Sequence, residues 1–473
     1  MATENSYILG RSQTTSDFSE TSSVSDMKHL VEDKDEDKQT SGIPMTSFNF
    51  INSIVGSGII GMPYALRQAG FGLGILMIIA VAAITDYSIL LLVEGGHLSN
   101  TDTYQDLVLV AFGRPGFYLL TGLQFLYPFI AMVSYNVIIG DTITKIILWM
   151  GGDNPGIIHS ILGNRQFVIF LTTVLVTLPL SLYRDIGKLG KWAFVSILLI
   201  LFIVVAVIIR LSTFSHTIPP TEEAWQFARV NVSQAIGIMA FAYMCHHSTF
   251  LIHSSLEKPT HQRWGFVVHF SVCFAMIMCL VLGITGYISF TGNAQGDLLE
   301  NYCWDDILMN ISRLAFAITI MLTYPVECFV TREVIENAVF PSHPPAPLWR
   351  HISVTIVIVF LTGVISMATD CLGIVLTLNG VLAAAPLAYI IPACCVMRLR
   401  QEALLSRSNI GPILLATFGT LVAVIGFIMA LVDLVSGVST CSHGAEPSYC
   451  TPMNDNSSIT TTFVPLHSSQ LAV

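Results

Sequence analysis

Eleven apolar runs divide the chain, at about residues 46–69, 72–94, 117–149, 166–182, 191–210, 231–255, 265–290, 307–337, 350–369, 372–396 and 411–435. A helix rises 1.5 Å per residue, so about 20 apolar residues cross the hydrocarbon of a bilayer, where only the helix itself can satisfy its backbone. The pattern therefore predicts an all-α integral membrane protein, with the lipid bilayer as its main partner. Composition agrees: 11% of the 473 residues are charged, where a soluble domain carries about 25%. No basic stripe is present that would suit nucleic acid.

Lysine and arginine set the expected orientation. Arg114, Arg184, Lys188, Lys191, Lys258, Arg263, Arg332, Arg350, Arg398, Arg400 and Arg407 fall on one side of the predicted spans. Only Arg165, Arg210 and Arg229 fall on the other. This puts the N-terminus in the cytosol and the C-terminus in the extracellular or lumenal space. Residues 1–44, rich in Ser, Thr, Asp and Glu without an apolar core, read as a disordered cytosolic tail. Residues 438–473 read as an exoplasmic tail, where Cys441 and Cys450 are expected to form a disulfide and Asn456-Ser-Ser is a glycosylation sequon. Cys245, Cys273, Cys279, Cys328, Cys394 and Cys395 lie in apolar runs and read as packing residues, and no cysteine or histidine cluster has zinc spacing. The stretch Thr101–Gly116 is expected to form a short interfacial helix.

The first span carries Gly56, Ser57, Gly58, Gly61 and Pro63 at its middle, all of which weaken helix. Span 6 is interrupted by Ala242-Tyr-Met-Cys-His-His-Ser about 190 residues later, and long span 3 maps to long span 8 at nearly the same offset. Five spans followed by five more must invert in the membrane, because five is odd. Two interrupted helices at matching positions of an inverted repeat point to a secondary transporter with its site at mid-membrane. The expected division is a transporter domain over 45–437, with repeat one at about 46–210, repeat two at about 231–396 and an extra helix at about 411–435.

The stretch Asn52-Ser-Ile-Val-Gly-Ser-Gly-Ile-Ile-Gly-Met-Pro-Tyr-Ala resembles the first-helix signature of the sodium-coupled neutral amino acid transporters, in the amino acid/auxin permease superfamily. Gly122-Leu-Gln-Phe-Leu-Tyr-Pro-Phe-Ile-Ala-Met, Leu178-Pro-Leu-Ser-Leu-Tyr-Arg, Cys245-His-His, Leu322-Thr-Tyr-Pro-Val-Glu-Cys and Asp370-Cys-Leu-Gly-Ile-Val-Leu fit the same family. The resemblance implies a leucine-transporter-like fold with a 5+5 inverted repeat and an eleventh transmembrane helix. It implies secondary transport of small neutral amino acids coupled to sodium, with protons moving the opposite way in some members. It also implies that Asn52 and Thr323 bind sodium, the coupling ion; no other cofactor is expected.

In such a site the substrate carboxylate meets N–H groups at the start of the second half of span 1, for which Gly56, Ser57 and Gly58 are the candidates. Carbonyls freed around Tyr243 to His246 would accept from the ammonium. His246 and His247 read as either packing groups or proton sensors. Among charged residues inside spans, Asp141 and Lys145 stand four apart and are expected to pair with each other, Asp86 has no local partner, and Glu327 lies with Arg332 toward the cytosolic half of span 8; Asp86 and Glu327 read as inner-gate or proton-coupling groups or as helix-packing hydrogen bonders. Tyr127, Tyr135 and Asn136 on span 3 and Tyr324 on span 8 read either as groups that reach the central cavity or as inter-helix packing groups, with packing favoured for each.

Two other classes compete with a sodium-coupled transporter. One is an amino-acid-binding receptor that signals through the cytosolic tail; the other is a transporter driven by protons alone. An enzyme is not expected, since no nucleophile elbow, metal motif or phosphate loop appears. The pattern leaves the plasma membrane and an endolysosomal membrane both open.

Overall fold

The computed structural model describes residues 41–151, 161–183, 193–340, 347–369, 371–436 and 446–450. Among them nine helices are long and apolar enough to cross a membrane, or ten when the bent pair Ile43–Ile54 and Ser57–Ala69 counts as one span. The shorter apolar helix Arg165–Ser181 coincides with predicted span 4. In chain order, Ile43–Ala69 is span 1, Phe71–Ser99 span 2, Tyr104–Gly151 span 3 and Arg165–Ser181 span 4. Phe194–Thr213, Val232–Ser255, His261–Asn293 and Ile307–Glu336 are spans 5 to 8, followed by Leu348–Ala368, Leu372–Leu399 and Arg407–Val432 as spans 9 to 11.

Local chemistry explains where the helices depart from regularity. The segment expected to be interfacial is helical from Tyr104, and Gly113, at φ 67°, divides it from the longer remainder of span 3. Three π-helical runs, Thr173–Thr177, Gly380–Ala384 and Pro386–Ile390, each end two residues before a proline: Pro179, Pro386 and Pro392. A proline ring cannot accept the regular ladder at its fourth preceding carbonyl, and a wider turn absorbs the clash. Spans 6 and 10 touch backbone to backbone, so that a Cβ on Gly380 would lie 1.8 Å from Gly237 O. Spans 3 and 8 form the most extensive helix pair.

Three sequence expectations are corrected by long-range contacts. Asp141 and Lys145 do not pair with each other: Lys145 bonds Glu300, in the turn Leu298–Asn301, and Asp141 bonds Arg165, at the start of span 4. A surface pair four residues apart contributes only a few tenths of a kcal/mol, about 0.2–0.5. Leaving buried Glu300 or Asp141 without a cation costs several times that, about 3–5 kcal/mol, so the distant partners prevail. Asp86, without a partner on its own helix, meets His269 Nδ1 at 2.8 Å between spans 2 and 7.

The tail disulfide is the second correction. Cys450 bonds Cys303, 147 residues away, and not Cys441, which lies outside the described residues together with Asn456. Tyr449 Oη donates to Asn301 O at 2.6 Å, and Glu446 Oε1 accepts from Trp304 N at 3.0 Å. The C-terminal segment is thus docked on the connection between spans 7 and 8. The six cysteines read as packing residues are free thiols, of which Cys273 is exposed.

The third concerns the N-terminal boundary. Order begins before residue 44, since Ser41 N donates to Ser255 O at 2.8 Å and Glu257 N donates to Ser41 O at 2.9 Å. Residues 1–40 lie outside the described ones.

Non-reducing peptide mapping is expected to recover the Cys303 and Cys450 peptides as one linked species. Cys303→Ala should release it and lower the melting temperature in detergent; recovery of a Cys441–Cys450 peptide from the wild type would refute the pairing.

Candidate functional site

The first half of span 1 ends at Ile54, where Val55 (φ −83°, ψ 87°) and Gly56 (φ −121°, ψ −147°) leave the helix. A tight turn over Ser57–Gly61 leads into Met62–Ala69, bent by 48° from the first half. The break exposes N–H groups at the start of the second half, the positive end of its dipole. Span 6 is interrupted opposite. Helix Val232–Ala242 stops, Tyr243, Met244 and Cys245 turn, and helix His246–Ser255 begins.

Gly58 lies directly against that interruption, and a Cβ there would sit 2.6 Å from Ala242 Cα. Glycine at 58 is therefore required for the approach of the two broken helices. Gly56 has more room: its Cβ would lie 3.9 Å from the Tyr135 hydroxyl of span 3, which also stands beside buried Ser57. A second tie joins the other halves, where Ser53 Oγ and Ser248 Oγ are 2.5 Å apart.

Not every predicted residue turns toward this junction. The Tyr243 side chain is fully buried against Cys279 of span 7, so any part it plays falls to its backbone. His246 Nε2 stands 3.2 Å from Ser88 Oγ of span 2, whose hydroxyl donates to Ala388 O of span 10, and its Nδ1 is buried without a partner. His247 faces span 3, with its ring 5.3 Å from that of Tyr127. The Asn52 amide is half-buried just before the break and makes no hydrogen bond within the described residues. Thr323 Oγ1 donates to Thr319 O of its own helix at 2.9 Å, and Thr319 Oγ1 donates likewise to Ala315 O. Asn52 and Thr323 are not joined by any hydrogen bond.

Three residues outside the predicted set complete the junction. Tyr127 and Tyr135 are eight apart on span 3, with Ala131 between them, and so share a helix face. Tyr127 packs against Phe241 and His247 at the span 6 interruption, while Tyr135 reaches the span 1 break. Glu327, one turn beyond Thr323 on span 8, lies within electrostatic reach of both tyrosines. The helical spacing of these residues is visible in the sequence, but which face meets the breaks is not. Asn136 and Tyr324, read as packing groups, do pack: Tyr324 Oη bonds Thr362 Oγ1 at 2.7 Å, with Asn136 alongside. Among the described residues no three His, Cys, Asp or Glu side chains are placed to hold a metal.

The arrangement offers positive N–H groups, freed carbonyls, hydroxyls and one carboxyl around the meeting point of two broken helices. Comparison with known proteins gives it a family. Residues 39–433 match the family described as "Transmembrane amino acid transporter protein". A Bos taurus relative named "Putative sodium-coupled neutral amino acid transporter 11" is 46% identical over 435 residues, covering 92% of each chain. Among solved structures, MhsT in complex with L-phenylalanine aligns with a TM-score of 0.53 at 14% identity, over 83% of this chain and 99% of that one. A manganese transporter mutant from Eremococcus coleocola aligns with a TM-score of 0.56 at 14% identity, over 85% and 88%. The multi-pass helical architecture and these matches lead to one conclusion: the chain belongs to the transmembrane amino acid transporter family and has the leucine-transporter fold.

Proposed function

We propose that this protein is a secondary active transporter of neutral amino acids, coupled to sodium, working by alternating access around the broken spans 1 and 6. The observation that carries the reading is the 48° break in span 1, set against the interruption of span 6 at Gly58 and Ala242. A helix broken at membrane depth leaves polar backbone groups that lipid cannot satisfy, and a zwitterion supplies both signs of partner. The substrate carboxylate would meet the N–H groups after Gly56 and Ser57, and its ammonium the carbonyls near Tyr243 to His246.

Sodium is assigned to the vicinity of Asn52, whose free amide oxygen suits a hard cation, with Thr323 as the second ligand once its hydroxyl turns from Thr319 O. The name of the Bos taurus relative supports sodium as the coupling ion. The charge asymmetry of the loops supports a cytosolic N-terminus and an extracellular or lumenal C-terminus.

Purified protein in sealed liposomes is expected to accumulate a neutral amino acid under an inward sodium gradient and to lose accumulation when choline replaces sodium. Saturable binding without flux would replace the transporter by a receptor, and flux driven only by a pH gradient would replace sodium by protons. Asn52→Ala is expected to raise the half-saturating sodium concentration by about tenfold, equivalent to roughly 1.4 kcal/mol, at unchanged abundance in the membrane. An unchanged sodium response would remove Asn52 from the ion site.

Two glycine substitutions separate packing from binding. Gly58→Ala places a methyl group inside the span 6 backbone and is expected to lower the yield of monodisperse protein. Gly56→Ala adds its methyl at ordinary contact distance, so it should keep the yield and reduce uptake. Equal yields and equal uptake for both would refute this division.

A further inference from the structure

Among the described residues, Glu327 is a buried acid of a membrane span that makes no ion pair. Its residue is 8% exposed, and Oε2 is shut from solvent without a hydrogen-bond partner. The described residues of the elements packed against span 8 direct their charges elsewhere. On span 3, Tyr127 and Tyr135 lie within electrostatic reach of the carboxyl, while Asp141 and Lys145 at the far end are taken by Arg165 and Glu300. Arg165 is the cation that begins span 4, and Arg210 of span 5 bonds Asp306 at 2.7 Å. On span 9, Arg350 bonds Glu336 at 2.7 Å, and His351 Nε2 is 3.0 Å from Leu182 O. Arg332, five residues along the same helix, donates to Ser181 O at 3.1 Å and Thr355 Oγ1 at 3.0 Å. His247 lies beyond the Tyr127 ring.

A carboxylate held in an apolar span without a positive partner is unstable relative to its neutral acid. The same side chain stands one turn from Thr323 and shares two tyrosines with the breaks of spans 1 and 6. We infer that Glu327 is the proton-carrying group of the central site: it holds a proton in the closed, substrate-free state, and this proton moves across the membrane with each substrate cycle. The step is a simple exchange. The carboxylate gains a proton from the compartment to which the site is open and becomes a neutral acid, then loses that proton to the opposite compartment and becomes a carboxylate again. The inference rests on the transporter reading above and adds to it the residue that carries a proton.

The test uses the full chain in sealed liposomes that enclose a pH-sensitive dye, with sodium equal on both sides. The probe is a mixture of tritiated L-alanine, L-serine, L-glutamine and L-leucine. Wild-type protein is expected to exchange labelled for unlabelled substrate and to change the internal pH when substrate is added. Glu327→Gln, which keeps the shape and removes the titration, should alter the rate of exchange and lose the pH change that accompanies each substrate exchanged. Substrate-driven pH change that persists in Glu327→Gln, or that never occurs in an exchanging wild type, would overturn the inference and leave the transporter reading intact. Loss of exchange in a monodisperse Glu327→Gln protein would also overturn it, assigning the carboxylate to the substrate ammonium. If the wild type does not exchange, the transporter reading falls. Infrared spectroscopy of the substrate-free protein then judges the protonation alone: the carbonyl band of a buried carboxylic acid should be present in the wild type, absent in Glu327→Gln and displaced in Glu327→Asp. Its absence from the wild type would refute the protonated state.

Discussion

Lipid offers no hydrogen bonds, and the rest of this structure depends on that constraint. A peptide group left unpaired in hydrocarbon costs several kcal/mol, of order 4–8 in an alkane-like medium, so each departure from regular helix has to be met by another part of the protein. The break after Ile54 is met by span 3 and by the interruption of span 6, which is met in turn by spans 2, 7 and 10. The π-helical runs before Pro179, Pro386 and Pro392 are smaller adjustments of the same kind, made within one helix.

The same constraint sorts the charged residues. Near the end of span 3, Asp141 and Lys145 are bound to Arg165 and Glu300 from other elements, and Arg313 is enclosed by the carbonyls of Leu299, Tyr302 and Cys303. These contacts fix the connection between spans 7 and 8, onto which the Cys303–Cys450 bridge and Tyr449 fasten the C-terminal segment. Buried pairs of this kind add little net stability, because desolvation offsets attraction, but they allow only one arrangement of the groups they join. Farther along the same helix pair, Glu327 has no such partner among the described residues. The contrast separates charges that hold the architecture from one to which the architecture assigns no pairing.

The two glycines of the opening motif illustrate how one pattern serves two physical purposes. Gly58 allows two broken helices to touch and has no space for a side chain, which is the demand of packing. Gly56 has space beside Tyr135 and marks the point where backbone leaves the helix, which is the demand of a site. Thr323 was a candidate ligand by resemblance, and its hydroxyl is bonded within its own helix, the ordinary state of a threonine inside a span. Tyr243 was a candidate by position, and its ring is turned toward span 7.

The sequence by itself determined the membrane class, the eleven apolar segments, the interruptions at Gly56 and Tyr243 and the family. Those features are written in hydrophobic run length and in residues that break helices, which act within a few positions of the chain. Only the tertiary structure decided that Asp141 pairs with Arg165, that Cys303 pairs with Cys450, and that Tyr127 and Tyr135 meet the junction of the broken helices with Glu327 in their electrostatic reach. Helical periodicity does place Tyr127 with Tyr135 and Thr323 with Glu327, but periodicity fixes a face only relative to its own axis. The rotation of each helix against its neighbours is set by contacts between residues more than a hundred positions apart, as between Gly237 and Gly380, and that rotation determines which face meets the site.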